Sequence, residues 1–125
     1  IFSIDKYPIK WAGIQNNLGV VYVAFSGIRD AESNLRNAIQ TYDSALIIYS
    51  IDKYPINYAQ TQNNLGNAYE EMSLIRDKEN YLKKAIAAYE EALKIFTISE
   101  YSSDYEMVKL SLDRVKQRLE QLLAR

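Results

Sequence analysis

The chain has 125 residues, with 15 basic and 16 acidic side chains, no Cys and no His, for a formal charge of −1. A disulfide framework, a thiolate metal site, a cysteine nucleophile and an imidazole general base are therefore excluded, and the near-neutral balance gives no bulk attraction to nucleic acid or an anionic membrane. Apolar residues at 48% and charged residues at 25% describe one folded domain, 1–125, with no apolar run as long as the ~18 residues of a spanning helix and no signal-peptide pattern.

In chain order, residues 1–6 read as the tail of a repeating unit, because Ile1-Phe2-Ser3-Ile4-Asp5-Lys6 returns as Ile48-Tyr49-Ser50-Ile51-Asp52-Lys53. With Ile rather than Met in first place, the chain reads as a processed or excised piece. A first unit, 7–53, begins at Tyr7-Pro8-Ile9, and a second, 54–100, begins at Tyr54-Pro55-Ile56, 47 residues later. Aligned without a gap, the two are identical at 23 of 47 positions, and such self-similarity is the mark of a repeat architecture.

Within each unit the apolar period is helical. Leu65, Ala68, Tyr69 and Met72 follow the spacing i, i+3, i+4, i+7, and Leu82, Ala85, Ile86, Tyr89, Leu93 and Phe96 do so again further on. Pro8 and Pro55 suit the first turn of a helix, and Asp30 and Asp77 suit N-caps of the helices that follow. The resulting helices run near 8–25, 31–50, 55–73, 78–98 and 104–124. The last carries Val108, Leu112, Val115, Leu119 and Leu122 at alternating steps of three and four, with charges between them. In this third unit, 101–125, Asp113 stands at the place of the glycine and Lys116 at that of the tyrosine, so the pattern degenerates into a capping helix. Gly19 and Gly66 lie inside helices, where glycine costs about 1 kcal/mol against alanine, so each is expected to admit a close neighbour. Tyr22, Tyr42, Tyr69 and Tyr89 fill the volume beside the small residues, as core rather than ligand stackers.

The run Gln15-x2-Leu18-Gly19-x2-Tyr22, then Ala38-x3-Tyr42-x2-Ala45, with its copy Gln62-x2-Leu65-Gly66-x2-Tyr69, then Ala85-x3-Tyr89-x2-Ala92, resembles the tetratricopeptide repeat. The likeness covers 7–100. Gln replaces the family's first aromatic, and the 47-residue unit exceeds the usual length of about 34, so both helices are lengthened. With its Asn-Asn-Leu-Gly signature the unit looks like the kinesin-light-chain-like type. The resemblance implies an all-α fold, a right-handed α-α superhelix of two helical hairpins plus the C-terminal cap. It further implies a non-catalytic protein–protein interaction module that takes an extended peptide or partner domain in a concave groove lined by the first helix of each repeat. The alternative is a structural spacer or sensor segment of a longer array in a signalling or scaffold protein.

Carried onto this chain, the groove positions are Asn16, Val20, Val23 and Ala24 in the first unit, Asn63, Asn67, Glu70 and Glu71 in the second, and Leu110, Arg114, Gln117 and Arg118 in the third. Asn63 and Asn67 are one turn apart and can both donate to and accept from a peptide backbone, or else bond neighbouring helix ends and water. Arg114 and Arg118 can clamp a carboxylate with a fork of donors, or else belong to a solvated cap surface. Glu70-Glu71 and Glu90-Glu91 diverge by about 100° on their helices, so neither pair is expected to hold a metal or perform catalysis. No phosphate loop, nucleophile elbow or calcium loop occurs, and no cofactor is expected. The expected partners are a protein or peptide, with neither nucleic acid nor membrane. A bare N-terminal face including Trp11 and Ile14 invites a homodimer. The absence of Cys and of glycosylation acceptors points to the cytoplasm.

Overall fold

The computed structural model describes residues 4–124; the first half of the tail read at 1–6 lies outside the described residues. Five helices and no strand occur among these residues: α1 Pro8–Ser26, α2 Ala31–Ile48, α3 Pro55–Ser73, α4 Lys78–Leu93 and α5 Ser102–Leu123. Each helix packs on the next in sequence, and α1 also touches α3. The result is a helical solenoid of two hairpins, α1–α2 and α3–α4, continued by α5.

The repeat in sequence is a repeat in geometry. Tyr7, Tyr54 and Tyr101 precede α1, α3 and α5 with φ of −134°, −132° and −129°. Pro8 and Pro55 follow in the first turn, where their missing N–H has no helical partner to lose. Tyr49 meets Tyr54 edge-on with ring centroids 6.0 Å apart, and one period later Phe96 meets Tyr101 in the same way at 5.7 Å. Third-unit identity is thus retained at its entry even where its later residues diverge.

Three expectations change in detail. α4 ends at Leu93 rather than 98, because Ile95 and Phe96 both return their N–H to the Ala92 carbonyl, at 3.1 and 3.0 Å. That tight turn directs Phe96 into the core, 2% exposed. α5 begins at Ser102, two residues early, since Tyr101 accepts the first helical bond from Tyr105 at 2.8 Å. Asp30 and Asp77 do precede α2 and α4, but neither caps with its side chain; both adopt left-handed backbone, φ 47° and 45°. Asp is among the few residues that tolerate this region. Its place here is the sharp reversal between helices, while Glu32 and Glu79 supply the negative charge in the first turn.

The glycines act as expected, and the neighbour is identified. A methyl group on Gly66 would lie 2.6 Å from the Tyr89 ring, and one on Gly19 would overlap the Tyr42 ring likewise. Each hairpin therefore closes by seating a tyrosine of its second helix on a glycine of its first. Tyr42 and Tyr89 are almost wholly buried among Ala38, Ala68, Ala85 and Ala92. On α5, Asp113 and Lys116 take the places of Gly66 and Tyr69, and both are exposed. Its apolar stripe, Val108, Leu112 and Val115, turns to α4.

Candidate functional site

The first helices are tied to one another by polar side chains. On α1, the Asn16 carbonyl accepts from Thr61 Oγ1 at 3.2 Å and from Asn64 Nδ2 at 3.3 Å, both on α3. Between α3 and α5 the link is ionic. Glu70, 7% exposed, accepts two parallel bonds from Arg114, Nε to Oε2 at 2.7 Å and Nη2 to Oε1 at 2.9 Å. Arg118 Nη1 donates to the same Oε2 at 2.9 Å. From the second helix of the hairpin, the Tyr89 hydroxyl lies 2.9 Å from Glu70 Oε1 and 2.7 Å from Asn67 Oδ1. A phenol has one proton to give, so it serves one of these acceptors at a time.

The carboxylate's electrostatics follow from these contacts. Burial by itself would raise the Glu70 pKa, but hydrogen bonds from Arg114 and Tyr89 and the charges of Arg114 and Arg118 outweigh it and hold the group below its ordinary value. The same burial, together with the Glu70 charge, pushes the Tyr89 phenol up. One carboxylate faces two guanidinium groups, which leaves the cluster with a net positive charge. Arg114 and Arg118 stay 42% and 38% exposed in their side chains, and the Nη1 of Arg114 and the Nε and Nη2 of Arg118 are not used by Glu70. Arg118 also lines an open cleft of about 270 Å³ with Leu74, Lys78, Gln121 and Leu122.

Of the sequence-derived positions, Asn67, Glu70, Arg114 and Arg118 therefore converge. Asn16 faces Thr61 and Asn64, while Asn63 is half-buried on α3. Val20 is 48% exposed, and Val23 packs partly into the cluster around Tyr42 and Leu65. These α1 positions are not in the ionic cluster. Arg114 does fork a carboxylate, but the carboxylate belongs to Glu70 of the same chain. The sequence reading missed Tyr89 as a partner of this group, along with the Thr61 and Asn64 contacts. A signal for the ionic part exists: Arg114 and Arg118 follow Glu70 by 44 and 48 residues, which is one repeat period within about a helical turn.

In a comparison of the chain with protein families, the model described as Tetratricopeptide repeat matches residues 59–96. Most of the second hairpin is thus similar to a tetratricopeptide repeat. No curated protein and no solved structure matches the chain. Tetratricopeptide repeats are generally protein-interaction modules rather than catalysts. The match runs from Ala59 to Phe96, so it takes in Glu70, Asn67 and Tyr89 and ends before α5. No described helix is long and apolar enough to cross a membrane.

Proposed function

We propose that this chain binds an extended peptide, or an extended segment of a partner protein, along the trough formed by α1, α3 and α5. The observation that carries the reading is the convergence of Asn67, Glu70, Arg114 and Arg118 from two successive first helices. That cluster is preorganised by its internal carboxylate and retains unused guanidinium donors and one positive charge. Asn63 and Asn67 supply donors and acceptors for a peptide backbone, and Val20 offers apolar contact at the other end. A segment with acidic residues suits the α5 end, where Lys78 and Arg118 border a cleft with Leu74 and Leu122. We read the 47-residue unit as the lengthened, kinesin-light-chain-like type of repeat.

Selection from a displayed random-peptide library tests this. Enriched peptides are expected to carry acidic residues, and to lose at least tenfold in affinity with Asn63→Ala, Asn67→Ala and Arg118→Glu. Peptides that bind these variants as tightly as the parent chain would remove the trough assignment. Failure to enrich any peptide would favour the spacer role within an array.

A further inference from the structure

We propose that the groove between α2 and α4 binds a free α-amino acid with an apolar side chain, its ammonium held by Asp43 and its carboxylate by Lys84. The site is built on the second helices, shares no residue with the cluster of Asn67, Glu70, Arg114 and Arg118, and stands independently of the peptide-binding reading. α2 and α4 each pack on α3 but not closely on each other, so a groove floored by α3 separates them. One part of it, about 310 Å³, is lined by Arg36, Ile39 and Asp43 of α2, Tyr69 of α3, and Tyr81 and Lys84 of α4. A second part, about 220 Å³, continues past Tyr69 and Lys84 onto Leu65, Ala87 and Ala88.

Two opposite charges face the polar part without closing on each other. Lys84 Nζ lies 5.8 Å from the centroid of the Tyr69 ring and 5.4 Å from that of Tyr81, and the two rings touch each other at 6.1 Å. Aromatic faces attract a cation, so the rings steer the ammonium into the groove. Neither Lys84 nor Asp43 has a hydrogen-bond or ion-pair partner among the described residues; each feels the other only as a nearby charge. Asp43 is nonetheless partly withdrawn from water. Burial pushes its carboxyl up, and the Lys84 charge pulls it back. Burial, the Asp43 charge and Tyr81 together push the Tyr69 phenol up to about 12. Arg36 is already held by Glu32, Nη2 to Oε2 at 2.6 Å.

This pattern selects the ligand. A plain cation is drawn to Asp43 and repelled by Lys84, and a plain anion meets the reverse. Lys84 occupies the tyrosine rings, so they orient a cation and do not offer a stacking platform. A ligand that carries both charges gains from both walls. In an α-amino acid the two charged groups share one carbon, so the ammonium can donate to Asp43 while the carboxylate accepts from Lys84, each bond charge-assisted. The flexible four-carbon stem of the lysine adjusts the span. The side chain then runs along the groove to Leu65, Ala87 and Ala88, where burial of apolar area favours an aliphatic group. At the far end Glu91 is held by Tyr58 and Lys94 and does not compete for the ammonium.

A chemical-shift titration of the full, isotope-labelled chain with L-leucine tests this. Leucine is expected to shift amides of α2 and α4 around Asp43 and Lys84, with a dissociation constant in the millimolar range that suits so small a ligand. N-acetylleucine lacks the ammonium and leucinamide lacks the carboxylate, so each should bind about tenfold more weakly than leucine. Asp43→Asn and Lys84→Met, both at exposed positions, should each weaken leucine by about the same factor and leave helical circular dichroism unchanged. Arg118→Glu, which alters the trough, should bind leucine as the parent does. The proposal is overturned if leucine shifts no amide of α2 or α4 at concentrations well above millimolar, if N-acetylleucine or leucinamide matches leucine, or if either groove variant keeps the parent affinity. Because the analogues are compared on the parent chain, they decide the matter even where a variant fails to fold.

Discussion

Replacing Glu70 with Gln keeps the shape of the side chain and removes the charge that holds α5 to α3. Breaking one side of a fully buried pair costs about 3–5 kcal/mol. Here the carboxylate is 9% exposed in its side chain, but the arginines are 42% and 38% exposed. Water recovers part of their solvation, and the expected loss is about 2–3 kcal/mol. With a urea dependence of about 1–3 kcal/mol per molar, the midpoint falls by about 1–2 M at neutral pH. The pH dependence has a definite sign. The folded pKa lies below the ordinary 4.5, so this contribution is fully present above that value and is lost as pH falls through the folded pKa. Urea unfolding followed by circular dichroism at neutral pH and again near pH 3 should therefore show the gap between parent and Glu70→Gln narrowing in acid. A midpoint unchanged at neutral pH, or a gap of the same size at both pH values, would refute the assignment of Glu70 as the charged link between the helices.

Gly66→Ala gains about 1 kcal/mol of helix propensity but drives a methyl group to 2.6 Å from a Tyr89 ring whose hydroxyl is held by Glu70 and Asn67. Overpacking of about 1–3 kcal/mol should win, and a raised urea midpoint would disprove the seating of Tyr89 on Gly66. Gly13→Ala is the contrasting case: its methyl group would lie 3.4 Å from the Tyr49 hydroxyl, so thermal melts should show stabilisation of up to about 1 kcal/mol. Asp77→Asn should be nearly neutral and Asp77→Val destabilising by about 1–2 kcal/mol, since φ is 45° there and a β-branched residue resists left-handed backbone. At high pH, burial pushes Tyr42, Tyr58 and Tyr69 up to about 12. Because these folded values exceed the ordinary 10.0, stability should fall as pH rises from about 10 toward 12, with part of the tyrosinate absorbance appearing only as the helices melt.

The helices were legible because helical period and proline placement are local properties. Pro8, Pro55 and the spacing from Leu65 to Met72 locate α1 and α3 to within a residue. Termini set by a single turn were less so: Phe96 continues the apolar period of α4, yet belongs to the turn that follows it. The reversal at Asp30 and Asp77 was placed correctly and explained wrongly, because capping and left-handed turns favour the same residue type. Glu70, Arg114 and Arg118 were each legible as polar residues of first helices. Their meeting was not, since it depends on how far one hairpin is translated past the next. That translation shows up in contacts near one repeat period apart, such as Glu32 with Arg76 at 44 residues and Asn16 with Thr61 at 45. Opposite charges at such separations are the sign to look for in a repeat sequence.

The two links between first helices differ in strength, and the difference has a mechanical consequence. At one end a single carboxylate rivets α5 to α3 through two guanidinium groups; at the other, α1 is laced to α3 by two long amide and hydroxyl contacts at Asn16. Stiffness is therefore expected to be graded along the molecule, and the proposed trough should widen or narrow by motion of the α1–α2 hairpin while the α3–α5 end keeps its form.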